Sequence, residues 1–245
     1  MKKHPQNLKR LNLSFLSCTN CTHLIGEFEM PALYCNSKVL PDFLALYSEP
    51  GNYHRTPLTG VCFYSFDNVF DGPNGLYWAI RHGVKDRLDF FRERFKDVHF
   101  LITPDYSILG DIPRIENLRR MFDARLVGVW FQTETDAVVI PNISFLDEED
   151  APIALAGLED CTMVAISTKG HMNSNSKRER MEANIHIVVD TIHPSAIIVY
   201  DTCASDENAR ALFRYAEGQG VNVIIPPNTL KACNKRQRLQ REAQK

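Results

Sequence analysis

From Gly60 onward the chain alternates two kinds of segment. Short runs of β-branched and aromatic residues are followed by longer stretches in which apolar side chains recur every three or four positions. The first run spans 61–66. A helix is expected after it, over 74–95, because Leu76, Ile80, Val84, Leu88 and Phe91 share one face. The second run, 98–102, leads into a helix over 113–130 with Ile115, Leu118, Phe122 and Leu126 as its buried stripe. Pro113 suits the first helical turn and Asp111 the cap before it. Runs at 137–140, 163–166, 196–200 and 221–225 continue the series, with helices expected over 151–158, 177–192 (capped by Ser176) and 206–217. Gly218 is a helix terminator in the last of these units.

Six nearly continuous apolar runs are too uniform for half-exposed strands. They describe strands buried on both faces by intervening helices. The fold class expected is α/β: repeated strand–helix units with a mostly parallel sheet, barrel-like or open doubly wound. Residues 1–57 break the rhythm. They carry three cysteines and five prolines, and read as an irregular N-terminal extension with one short helix over 42–47. The organisation expected is 1–57 as extension, 58–228 as the α/β domain and 229–245 as a basic C-terminal tail.

Charge sharpens that last boundary. The 245 residues carry a net −2, so no global field points to nucleic acid or membrane. In 229–245, however, six basic side chains against Glu242 give +5, which leaves −7 on the rest of the chain. A basic tail on an acidic body can contact nucleic acid; a solvated helix is the plainer reading. No apolar run is long enough to span a bilayer, and no leader pattern opens the chain. A cytoplasmic protein is expected. Its seven cysteines read as free thiols.

In either architecture ligands bind beyond the C-terminal ends of parallel strands. Reading the residues after each run gives Asp67; then Thr103-Pro104-Asp105-Tyr106-Ser107; then Asn142; then Lys169 and His171; then Asp201. Asp67, Asp105, His171 and Asp201 are the candidate catalytic groups. Carboxylates crowded in one crevice repel each other, which raises the pKa of one of them, and they can also collect a divalent cation. His171 titrates near neutrality. Ser107, Arg114, Asn117, Asn142 and Lys169 are candidate substrate-binding groups, Arg114 and Asn117 because they open a helix whose N-terminus favours anions. Each of these residues also has a bland explanation, because Asp, Asn and Ser favour turns and caps. Cys203, after the fifth run, is a further nucleophile candidate beside His171. Zinc at Cys18, Cys21 and Cys35 is disfavoured because no second C-x-x-C supplies a fourth ligand. No phosphate-binding, dinucleotide, nucleophile-elbow or zincin motif is present.

The segments Tyr64-Ser65-Phe66-Asp67, Thr103-Pro104-Asp105-Tyr106-Ser107, Asp111-Ile112-Pro113-Arg114 with Asn117 and Arg120, Val139-Ile140-Pro141-Asn142-Ile143-Ser144, Val164-Ala165-Ile166-Ser167-Thr168 and Ile197-Ile198-Val199-Tyr200 resemble a bacterial and phage family known as domain of unknown function 4417. The resemblance spans roughly residues 60–225, and T-P-D-Y-S is its most specific piece. It implies a phage or mobile-element origin and brings no activity with it. Asp201 departs from the pattern, in which a glycine is usual, and the N-terminal cysteines lie outside it. Barrels that exchange bases on nucleic acid also place aspartates after early strands, a likeness of architecture alone. Two functions stand side by side. One is an enzyme acting on a nucleotide or nucleic acid; the other is a non-catalytic accessory protein that binds nucleic acid or a host protein.

Overall fold

The computed structural model describes residues 5–203 and 205–243. Lys245 of the basic tail lies outside them. The N-terminal part is irregular: a short helix α1 (Pro5–Arg10), a 3-10 stretch (Ser14–Cys21) and a two-residue antiparallel pair, β1 (Leu24–Ile25) with β2 (Met30–Pro31).

Residues 42–47 correct one expectation. In place of a helix, β3 (Phe43–Leu46) runs parallel to β4 (Thr59–Cys62). Phe43 and Ala45 face one apolar core and Leu44 faces the other. Four consecutive apolar residues fit a strand covered on both sides, and so short a run shows no period by which to tell it from a helix.

After β4 come α2 (Asp67–Phe70), α3 (Leu76–His82) and α4 (Lys85–Arg94). The single helix expected over 74–95 is thus broken. Gly83, at φ 61°, closes α3 in the left-handed region that a side chain disfavours. Then follow β5 (Phe100–Ile102), the long α5 (Arg114–Glu134), β6 (Val138–Ile140) and α6 (Ala151–Leu155). The second half comprises β7 (Met163–Ser167), α7 (Asn175–Ile192), β8 (Ala196–Tyr200), α8 (Asp206–Leu212), α9 (Arg214–Gly218), β9 (Asn222–Ile224) and α10 (Thr229–Ala243). The cap of α7 is Ser174, whose hydroxyl accepts from Lys177 N, and not Ser176.

The strands form two parallel sheets, β3-β4-β5-β6 and β7-β8-β9. Single parallel bridges join their edges at Asn142–Ala165 and Leu44–Asn228. The arrangement is barrel-like, but its ladder is interrupted at both seams and no closed barrel forms. Because every pairing from β3 to β9 and both bridges are parallel, the C-terminal ends of these strands lie at one end of the molecule.

Two cores hold this frame. Between the four-stranded sheet and α3–α5, Val61, Phe63, Leu101 and Val139 meet Phe91, Phe95, Leu126 and Phe131. The alternate residues Leu44, Cys62, Phe100, Ile102 and Ile140 point the other way, into a core shared with β7, β8 and α7. At its top, Tyr64 from the first sheet stacks on Tyr200 from the second, ring centroids 4.6 Å apart. Both rings are at most 2% exposed. Burying a large apolar side chain contributes about 1.5–3 kcal/mol. The stack therefore fixes the two sheets to each other directly beneath the strand ends.

Candidate functional site

The loops that leave β4, β5, β6 and β7 meet above that stack. Asn142 N donates to Thr103 Oγ1 (2.8 Å), which latches the ends of β5 and β6 together. The Tyr64 hydroxyl donates to Asn142 Oδ1 at 3.0 Å. The Asn142 amide oxygen is thereby occupied, and its Nδ2 donates to Asp105 Oδ1 at 2.8 Å. Lys169 Nζ donates to the Tyr64 carbonyl at 2.8 Å and lies 5.5 Å from the centroid of the Phe66 ring.

A cavity of about 460 Å³ opens over these groups. Asp105, Ser107, Lys169, His171, Lys177 and Arg180 give its wall polar character. Ile143, Phe145, Ile166, Met181, Ile185 and Val188 make the rest apolar. Its size is that of a small-molecule site.

Burial raises the Asp105 carboxyl from its ordinary 3.8 to about 6. The Asn142 hydrogen bond opposes this, the Asp67 charge adds to it and the Lys169 charge opposes it. The imidazole of His171 is held below its usual value, first by desolvation against the cavity wall and then by the charges of Lys177 and Arg180. The residue as a whole is nonetheless exposed.

The other sequence candidates divide. Asp67 stands behind the wall: its carboxylate accepts from Ser107 N (3.1 Å) and Ser107 Oγ (3.0 Å) and pairs with Arg120. It shapes the loop that carries Asp105. Asn117 is buried and clamps Leu109 through both backbone groups, at 3.1 and 2.8 Å. Arg114 points away from the cavity, to Asp150 at 2.8 Å. Asp201 is fully buried, where it accepts from Thr168 Oγ1 (2.7 Å) and pairs with Lys231 Nζ (2.8 Å).

The crevice of three aspartates is therefore not assembled. Among the described residues no group of three or more His, Cys, Asp or Glu is placed to hold a metal ion. Cys35 is buried and its thiol is pushed up to about 12, by burial first and by neighbouring Cys161 second. Cys203 is pushed up to about 11, by burial first and then by Asp201. An activated nucleophilic thiol is shifted the other way.

Sequence reasoning passed over Lys177 and Arg180, which α7 projects into the cavity. The signal was present: Lys177, Arg180, Met181, Asn184, Ile185 and Val188 follow a three-and-four spacing and share one face. It also passed over Phe66, whose ring stands 75% exposed at the cavity edge, and Lys231, the partner of Asp201.

The family model described as Domain of unknown function (DUF4417) matches residues 23–216. The chain belongs to this family. Two phage relatives bear it out, each called Gene 1 protein. That of Mycobacterium phage L5 is 25% identical over 181 residues, covering 71% of this chain and 72% of the relative. That of Mycobacterium phage D29 is 22% identical over 181 residues, covering 71% of this chain and 61% of the relative. No solved structure matches. The family match begins well before the rhythmic region at Gly60. It takes in β3 and every residue of the cavity wall, and ends before α10.

Proposed function

We propose that this member of the family is an enzyme that uses Asp105 as general acid and base on a substrate of nucleotide or nucleic-acid class. One observation carries the reading: a carboxyl pushed to about 6, on the wall of a cavity that holds no other carboxylate among its lining residues and several basic ones. A group with a pKa near neutrality gives and takes protons efficiently at physiological pH. Asn142, itself held by the Tyr64 hydroxyl, fixes one of its oxygens and leaves the other for a ligand. A cavity of about 460 Å³ admits one nucleotide and excludes a duplex. Among the described residues no helix is long and apolar enough to cross a membrane. The unbridged cysteines favour a reducing, cytoplasmic compartment.

A second reading, nucleic-acid contact through α10, draws on the exposed Lys235, Arg236 and Arg241. It is weakened at Lys231, whose ammonium is engaged by Asp201 and Asp206.

The test is turnover. Wild type and Asp105→Asn are incubated with nucleosides, nucleotides and short single strands, and products are read by mass spectrometry. Wild type is expected to convert one class, and the variant to lose on the order of a hundredfold or more in rate. Turnover undiminished in Asp105→Asn would refute the role of that carboxyl.

A further inference from the structure

We infer that the cavity holds a phosphate monoester beside a flat ring, with Lys169, Lys177 and Arg180 on the phosphate and Phe66 under the ring. This rests on the proposed function and names the substrate class within it.

The charges come first. Five arginines elsewhere on the protein are paired with acids. Arg92, Arg114, Arg119, Arg120 and Arg210 each have a carboxylate oxygen within 4 Å. Among the described residues, none of the cavity cations Lys169, Lys177 and Arg180 has one. Lys177 Nζ reaches only the Gly170 carbonyl, at 3.4 Å. Glu179 and Glu182 stand nearby in sequence, but not three or four positions from either cation. The positions three and four away from Lys177 and Arg180, on α7 and in the turn before it, are Asn173, Ser174, Ser176, Met181, Ala183, Asn184 and each other. On α5, by contrast, Arg119 finds Glu116 and Asp123 at those spacings. Two like charges at i and i+3 repel, and an anion in the cavity would relieve that repulsion.

The balance selects the anion. Asp105 is the one carboxylate on the wall, so three cations against it leave +2 when it is ionised. A phosphate monoester carries close to −2 at neutral pH, and its oxygens suit a guanidinium fork beside ammonium groups.

Phe66 supplies the second half. A phenyl ring 75% exposed at the cavity edge, with Lys169 5.5 Å from its centroid, is an open aromatic face. Flat heteroaromatic rings stack on such faces without regard to sequence. A free nucleoside monophosphate and the phosphorylated end of a single strand share this chemistry.

Calorimetric titration of the full chain tests it, with nucleoside monophosphates, the matching nucleosides, inorganic phosphate, and a short single-stranded DNA with and without a 5′-phosphate. One phosphorylated ligand is expected to bind below about 1 mM, the usual ceiling for substrates, and its unphosphorylated counterpart at least tenfold more weakly. A tighter free monophosphate identifies a metabolite site; a tighter phosphorylated strand identifies a strand-end site. K177A/R180A, both at exposed positions, should weaken the phosphorylated ligand at least thirtyfold with the circular dichroism spectrum unchanged. Phe66→Ala should weaken the nucleotide and leave inorganic phosphate unaffected. Phosphate-independent binding, or full affinity in K177A/R180A, overturns this inference while leaving the Asp105 chemistry intact. Phosphate-dependent binding with undiminished turnover in Asp105→Asn does the reverse.

Discussion

Asp105→Asn should make the protein more stable at neutral pH. The substitution keeps the shape and the acceptor for Asn142 Nδ2, and removes only the capacity to ionise. In the folded protein the carboxyl titrates near 6, against 3.8 ordinarily. An acid whose pKa is raised on folding contributes stability that is complete below the unfolded value and is lost as pH climbs toward the folded one. The relevant window is therefore about pH 4 to 6. Each pH unit of difference corresponds to ~1.36 kcal/mol, so the interval sets a ceiling of about 3 kcal/mol. Partial exposure of Asp105 on the cavity wall screens the charge and reduces this to about 1–2 kcal/mol. For a chain of this length that is roughly 2–8 °C in Tm. Asp123 is also pushed up to about 6, chiefly by burial, but it is common to both proteins and cancels in the difference. Urea and thermal melts of both proteins from pH 4 to 8 are the assay. The difference should be small at pH 4 and flat above about pH 6.5. A variant less stable than wild type at pH 7.5, or a gap that does not change with pH, refutes the claim that Asp105 ionises at a cost.

Lys231→Met should destabilise the protein by about 3 kcal/mol in urea melts, because fully buried Asp201 loses its compensating charge; an unchanged midpoint would contradict this. Gly157→Ala should cost at least ~1 kcal/mol, since Gly157 lies at φ 77° and an added Cβ would stand 2.8 Å from Ala32 Cα; a wild-type Tm would show that the backbone relaxes there. If α10 contacts nucleic acid, removing residues 236–245 spares the Lys231 anchor and should lower both DNA affinity and its salt dependence in fluorescence anisotropy. Identical binding curves would exclude the helix as a contact.

The alternation of strands and helices was legible because each strand is buried on both faces and so appears as an uninterrupted apolar run. Residues 196–200 form β8 as read. What failed were features that depend on neighbours distant in sequence. Phe43–Leu46 is a strand because β4 lies beside it, and nothing within four apolar residues announces that. The seams at Asn142 and Asn228 are matters of register, visible only once both sheets exist. The family match from residue 23 has the same cause: part of the supposed extension supplies a strand of the main sheet.

At the site, chain position was readable and side-chain direction was not. Seven parallel strand ends at one pole guarantee that 67, 105, 142, 169, 171 and 201 lie near one another. They do not guarantee a common cavity, because successive side chains leave a strand on opposite faces. Tyr200 turns inward to stack on Tyr64, so the next residue, Asp201, turns away and meets Thr168 and Lys231. Asp105 escapes this rule because Pro104 ends the strand and the Asn142 amide catches its carboxyl. Two aspartates that look alike in sequence thus have opposite fates. Asp201 is charge-paired and anchors α10, while Asp105 faces no cation at salt-bridge distance and is left part-way to neutral. Only an acid kept short of a partner stays free to exchange its proton, so within this family fold the poorly satisfied carboxyl, and not the well-bonded one, is the place to look for chemistry.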